Sequence, residues 1–325
     1  MHSSYACGSC VPCDTAVPTA SQPVSKIYIT HKEVHPMDTR IIDLHVHSNA
    51  SDGTCTPTEL VAEAVRAGLS AFALTDHDTT DGIAEASAAA EKAGIELIPG
   101  VELSTEYDGT EIHVVGLYID VHNETLQRQM ADFRASRDNR NVYMLEKLRA
   151  VGFDITQEAL EECFPDAVIT RAHIARYLFD HGYIPDIRTA FNKYIGEGCP
   201  CYVGRPKVTP MDAVDYILAA GGVPILAHPV MYHMERAKLM RMTAEMKAHG
   251  LCGIEAIYSE NTPADEQIYK ELARSEGLLI SGGSDFHGTN KPDLSLGKGR
   301  GKLYIPYSLL DAIQQKHAEI LAARS

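Results

Sequence analysis

From Arg40 onward, short apolar runs alternate with amphipathic stretches, the rhythm of strand, helix, strand units that build an α/β fold. Arg40–His47 reads as a strand. Thr56 can cap a helix with Pro57 at its first position and its end at Gly68, after which the chain returns as the strand Ala71–Asp76. A second helix over Gly82–Gly94 leads to the strand Glu96–Glu102, and Ile112–Tyr118 reads as a further strand. Between Asp120 and Pro206 the pattern changes. Helical periodicity runs through Asn123–Ala150 and Arg171–Asp180, with more charge and no strand between them. The earlier rhythm resumes with a helix capped by Thr209 and started by Pro210, then the strands Val223–His228, Gly253–Tyr258 and Leu278–Ser281. The Met-containing stretch Met231–Met246 reads as a packed helix face. The expected organisation is a barrel domain over 38–119 and 207–325, a helical insertion over 120–206, and a disordered Ser/Pro/Thr-rich leader over 1–37.

Histidines and carboxylates fall at or just after these strands. The clearest pieces are Asp43-Leu44-His45-Val46-His47, Thr75-Asp76-His77, Gly100-Val101-Glu102, Ala227-His228-Pro229 and Ser284-Asp285-Phe286-His287. His113 sits near the start of its own apolar run. Alternate residues of a strand share a side, so His45 points with His47, and Asp285 is expected to point with His287. Donors of this kind without thiolates favour zinc, manganese or iron chemistry over a closed structural zinc site. In a barrel of alternating strands and helices the active site lies at the carboxyl ends of the strands, where these residues fall. Asp76 reads as orienting an imidazole and Asp78 as capping the following turn.

The 325 residues carry a formal net charge of −15, which argues against duplex DNA or an anionic membrane as partner while leaving room for a local phosphate pocket. No apolar run reaches the length of a spanning helix, and the chain reads as soluble and cytoplasmic. Cys7, Cys10 and Cys13 lack a fourth thiolate nearby and read as part of the leader. No Gly-rich phosphate loop of the nucleoside-triphosphatase type is present.

The ordered set His45, His47, Asp52, His77, Glu102, His113, His228, Asp285 and His287 resembles the PHP family, the polymerase and histidinol phosphatase domain, over about residues 40–300. The resemblance implies a distorted (β/α)7 barrel with two or three divalent metals at its mouth, manganese first and iron or zinc as alternatives. It implies one ion on His45, His47, Glu102 and Asp285, a second on Glu102, His113 and His228, and a third on Asp52, His77 and His287. Such ions acidify water into a hydroxide nucleophile and neutralise phosphate oxygens. The stretch Thr170–Arg176 and the turn Cys199–Val203 resemble the small-phosphoesterase branch, which includes nucleoside 3′,5′-bisphosphate phosphatases and a 5′-3′ RNA exonuclease. Arg171 and Arg205 are candidates for gripping a second phosphate, since guanidinium binds phosphate oxygens through a two-point fork. Arg176 reads as a surface pair, and His173 is the candidate acid for the leaving oxygen. The implied activity is hydrolysis of a small phosphorylated metabolite, a nucleoside 3′,5′-bisphosphate or a sugar cyclic phosphate. Trimming of short RNA is the first alternative and a non-catalytic metal-binding module the second.

Overall fold

The computed structural model describes residues 39–165, 167–204 and 208–324. The leader over 1–37, its cysteine cluster and Arg205 lie outside them. Seven strands stand in one sheet in chain order: β1 (Ile42–Val46), β2 (Ala71–Leu74), β3 (Glu96–Tyr107), β4 (Thr110–Leu117), β5 (Val223–Leu226), β6 (Gly253–Tyr258) and β7 (Leu279–Gly283). The sheet curls until its two edges nearly meet. His47 N–H donates to Phe286 O at 3.0 Å and Asp285 N–H to His45 O at 2.9 Å, which brings the mouth ends of β1 and β7 together.

Three helices begin with the same local device. α1 (Pro57–Ala67), α7 (Pro210–Ala219) and α9 (Pro263–Glu276) each have a Thr cap, Pro at the first position and an acidic residue closing a capping box, namely Glu59, Asp212 and Asp265. The Thr hydroxyl and the acidic side chain satisfy backbone donors at the helix start, and Pro loses none there because its missing N–H would be unpaired. Together with α2 (Ile83–Ala93), α8 (Arg236–Ala248) and α10 (Ser308–Arg324), these helices cover the barrel. Alternate strand residues on one side, among them Ile42, Leu44, Ala71, Ala73, Val115 and Leu117, pack with Leu310 and Ile313 of α10. Phe72 and Leu74 pack instead with Leu60 and Val61 of α1 and Ile83 of α2.

Two expectations change here. β3 does not stop at Glu102 but runs on to Tyr107 and folds back antiparallel as β4, through Asp108 and Gly109. Their φ values of 48° and 85° are the paired positive angles of a type I′ hairpin turn, for which Asp-Gly is a favoured sequence. β4 is also antiparallel to β5, so two of the ladders depart from a regular parallel barrel. Second, Met231–Met246 is not one packed helix. It opens as a 3₁₀ turn, α8 begins only at Arg236, and while Met242 and Met246 are buried, Met231 and Met240 are exposed.

Between β4 and β5 lie α3 (Glu124–Ala150), α4 (Gln157–Cys163), α5 (Arg171–Asp180) and α6 (Ile187–Ala190), followed by a π-helical turn over Phe191–Ile195. Leu126, Met130 and Phe133 of α3 join the barrel-side core. Met144, Leu145 and Leu148 of the same helix join a second core with Leu160, Ile169, Ile174 and Leu178.

Candidate metal centre

The nine expected side chains meet at one end of the barrel. His45 lies in β1 with His47 just beyond it, and Asp52 follows in the next loop; His77 follows β2, and His228 follows β5. Glu102 lies within β3. His113 reaches the same mouth from near the start of its strand because β4 runs the other way, pairing with Ser104 of β3. Asp285 and His287 follow β7, and here the strand argument gives way. β7 ends at Gly283 and Asp285 has φ 55°, so a left-handed turn rather than strand alternation aims the two residues. They still converge, with Asp285 Oδ1 at 3.3 Å from His287 Nδ1.

Glu102 is the hub. Its Oε1 lies 2.9 Å from both His113 Nδ1 and His228 Nε2. Its Oε2 lies 3.0 Å from His77 Nδ1, 3.2 Å from His45 Nε2 and 3.3 Å from His47 Nε2. Asp285 Oδ1 lies 3.4 Å from His47 Nε2 and 3.9 Å from His45 Nε2. Asp52 faces His287 Nε2 at 3.1 Å and His77 Nε2 at 3.7 Å. These atoms fall into four overlapping groups able to hold a cation: His47/Asp52/His77/His287, His45/His47/Asp285, His45/Glu102/His228 and His77/Glu102/His113.

The donor chemistry fits cations. Seven buried ring nitrogens and carboxylate oxygens among these residues have no hydrogen bond of acceptable geometry: His45 Nε2, both ring nitrogens of His47, Asp52 Oδ1, His77 Nδ1, Glu102 Oε2 and His228 Nδ1. Groups of this kind are costly to bury unless something replaces their water. His287 makes the point sharply. Its Nδ1 faces the carbonyl of Asp285 at 2.9 Å and must carry the proton. Burial, Lys291 and His47 push its pKa down to about 4, so near neutral pH its Nε2 presents a lone pair to an Asp52 carboxylate oxygen. Two acceptors facing each other are stable only with a cation between them.

The remaining charges are balanced by protons in the metal-free chain. Burial opposes the charged form of His47, but Asp285 and Glu102 outweigh it and raise the pKa to about 9. Burial likewise opposes His113, and Glu102 with Glu111 raises it to about 9. Against the desolvation of their burial, the imidazoles hold Glu102 and Asp52 well below the carboxylate range; Lys291 and His287 do the same for Asp285.

A family model described as the PHP domain matches residues 43–197. A 3′,5′-nucleoside bisphosphate phosphatase of Chromobacterium violaceum is 38% identical over 254 residues, covering 76% of this chain and 87% of that protein. The chain belongs to the PHP family. A 5′-3′ exoribonuclease of Haemophilus influenzae is 39% identical to this PHP chain over 249 residues, covering 77% of it and 90% of the relative. Among solved structures, a Bifidobacterium adolescentis protein provisionally assigned as a metal-dependent phosphoesterase superposes with a TM-score of 0.76. It is 30% identical, covering 86% of the PHP chain and 97% of its own. The nearly closed seven-stranded barrel is the fold of this group.

Of the side chains that hold the cluster in place, Glu255, Tyr258 and Lys291 belong to none of the motifs. Glu255 of β6 places Oε1 3.0 Å from His45 Nδ1 and accepts the His228 N–H at 2.7 Å. Asp285 Oδ2 accepts from the Tyr258 hydroxyl at 2.8 Å and pairs with Lys291, leaving Oδ1 to face the imidazoles. Asp43 anchors the backbone, accepting from Ser284 N–H and Gly297 N–H, both at 2.8 Å. Asp76 orients no imidazole. It accepts from Ser48 N–H, Ser48 Oγ and Ser51 Oγ, and so shapes the loop that carries Asp52. The Asp78 carboxylate joins β3 to the insertion: it accepts from Ser104 N–H at 2.9 Å and is paired with buried Arg137 of α3.

On the insertion, Arg171 is ion-paired with Glu111, whose other oxygen lies 3.6 Å from His113 Nε2. Its guanidinium carbon lies 5.6 Å from the Tyr202 ring centre and 6.0 Å from that of Phe191. Arg176 pairs with Asp180 at 2.7 Å and also reaches Asn290. The acid role expected of His173 does not fit its surroundings. Its Nδ1 accepts the Thr170 N–H at 3.0 Å as part of a capping box, and burial pushes its pKa down to about 4. Near neutral pH it is an uncharged helix-starting residue with no proton to spare from Nδ1.

Proposed function

We propose that this PHP chain is a metal-dependent phosphoesterase that hydrolyses phosphate esters of a small metabolite, a nucleoside 3′,5′-bisphosphate ahead of a sugar cyclic phosphate. The observation that carries it is the meeting of nine buried or half-buried donors, three of them carboxylates, at the mouth of one barrel. In this reading His45, His47, Glu102 and Asp285 hold one ion, Glu102, His113 and His228 a second, and Asp52, His77 and His287 a third. Manganese is the proposed ion, with iron or zinc suited to the same donors. When bound, divalent ions at these positions supply positive charge to phosphate oxygens and lower the pKa of water toward neutrality.

The chain's own residues do the rest. Glu255 fixes His45 with its proton on Nδ1, so that Nε2 faces the centre. Tyr258 and Lys291 occupy Asp285 Oδ2, so that this carboxylate offers one oxygen inward. Arg171 stands at the rim beside His113 and exchanges Glu111 for the second phosphate of a bisphosphate, a fork for which guanidinium is suited. Arg205 is proposed as a second grip. A cytoplasmic setting suits the free thiols of the described cysteines Cys55, Cys163, Cys199, Cys201 and Cys252.

A second reading, trimming of short RNA from its 5′ end, is favoured by one feature. Phe191 and Tyr202 flank Arg171, and aromatic and guanidinium surfaces together stack bases without regard to sequence. The test is release of inorganic phosphate from adenosine 3′,5′-bisphosphate, cyclic sugar phosphates and histidinol phosphate, and of mononucleotide from short 5′-phosphorylated RNA, using manganese-reconstituted protein. Turnover of the bisphosphate is expected. Cleavage of RNA alone moves the function to the second reading, and inactivity of fully metallated protein on every substrate overturns both.

A further inference from the structure

Asp52 is gripped from the helical insertion. The Thr170 hydroxyl donates to Asp52 Oδ2 at 3.0 Å and accepts the Ala172 N–H at 3.1 Å, so its single proton has one destination. Both residues are 4% exposed. The contact is backed on either side: Val168 N–H donates to Ala50 O at 3.2 Å, and Asn290 Nδ2 donates to the Asp52 carbonyl at 2.8 Å. Asn290 is in turn reached by Arg176 of α5 at 3.4 Å. The loop carrying Asp52 is therefore clamped between the start of α5 and the segment that follows His287.

We infer that Thr170 is a positioning residue for the cation position formed by Asp52, His77 and His287, so that the insertion completes this position as well as bordering it. The inference rests on the metal-centre reading above. A carboxylate turns about its last bond unless its second oxygen is held, and Thr170 holds Oδ2 while Oδ1 stands 3.1 Å from His287 Nε2. Partners of this kind are worth about 10- to 100-fold in metal affinity. The same hydroxyl caps the helix that carries Arg171, which ties the substrate-facing rim to the third cation position.

The test is titration of manganese(II) into the chelator-stripped full chain, with free ion read by electron paramagnetic resonance and stability followed by thermal melting. Thr170→Val keeps the shape and removes the donor; Thr170→Ser keeps the donor. Thr156→Val removes an equivalent cap, that of α4, whose Thr accepts the Ala159 N–H but touches none of the nine residues. The expected result is one class of manganese weakened about 10- to 100-fold in Thr170→Val and restored in Thr170→Ser. Thr156→Val is expected to melt earlier and bind manganese as the unsubstituted chain does. Unchanged binding in Thr170→Val, equal weakening in Thr156→Val, or failure of Ser to restore binding would each overturn the inference. An unsubstituted chain that takes up neither manganese, zinc nor iron(II) removes the metal-centre reading and this inference with it, a result distinct from the other three.

Discussion

Replacing Glu255 by Gln changes one atom in a carboxylate that serves two partners. One oxygen accepts the His228 N–H at 2.7 Å and the other faces His45 Nδ1 at 3.0 Å, in a side chain that is 3% exposed as a residue. A carboxamide has one acceptor. If its oxygen stays on the His228 N–H, its NH2 group faces a ring nitrogen that already carries a proton, and two donors meet. Relief comes by moving the proton of His45 to Nε2, the nitrogen that looks toward Glu102 Oε2 at 3.2 Å. That is the atom proposed to hold metal, so the loss is felt in metal binding. Orienting partners of this kind are worth about 10- to 100-fold in affinity, or about 1.4 to 2.7 kcal/mol. The independent figure for one unsatisfied buried group, about 1 to 3 kcal/mol, covers the same range. Competition of the chelator-stripped protein against a metal indicator, with manganese or zinc, measures the difference. Glu255→Gln binding metal within about twofold of the unsubstituted chain would refute the tautomer argument. Glu255→Ala should also destabilise the metal-free fold by about 1 to 3 kcal/mol, because it leaves the His228 N–H buried without a partner.

Metal affinity should rise with pH. His47 and His113 have pKa values of about 9 in the metal-free chain, metal binds the neutral rings, and protons therefore compete throughout the range below that value. Each proton displaced gives a gain of about tenfold between pH 7 and 8 for the ion that displaces it, and a flat profile from indicator titrations would contradict the pairing with Asp285 and Glu102. Gly283→Ala should cost about 3 kcal/mol or prevent folding, since the added Cβ would stand 2.2 Å from His45 Cβ and 2.8 Å from His45 N at the β1–β7 seam. Thermal melting or recovery of folded protein checks it. Arg171→Met should raise KM for a bisphosphate by about tenfold or more with little change for a monophosphate, and an equal effect on both would remove Arg171 from second-phosphate binding.

Most of the nine converging residues stood out as His, Asp or Glu at the ends of strands that announce themselves by their own apolar runs, while Asp52, which lies in a loop, entered through the resemblance to the PHP family. Asp285 and His287 were found through their residue types even though a left-handed turn, not strand alternation, aims them. Glu255 was not found. It is one acid in an apolar strand, and its partner His45 lies 210 positions away. The roles of Tyr258 and Thr170 are hidden for the same reason, since contacts between distant segments leave no spacing to read; Lys291 lies only six positions from Asp285, but a lone Lys in a loop carries no signal of its own. The β3–β4 hairpin was within reach: Asp108-Gly109 is a strong turn signal, and the polar residues before it obscured the strand leading into it. His173 shows the converse. A histidine beside a metal site suggests a proton donor, yet whether it can carry one depends on burial and on the backbone N–H that its Nδ1 accepts.

α3 belongs to two cores at once. Its first half packs on the barrel and its last turns pack within the insertion, over 27 residues that span about 40 Å without a break. Arg137, in the middle, is buried against Asp78 in the loop next to His77. Such a rod acts as a door jamb, not a door. Swinging the insertion away from the mouth would disturb one core or the other, so this helix ties the two together. Under the proposed function, a substrate would meet a mouth framed by a helix that both cores hold.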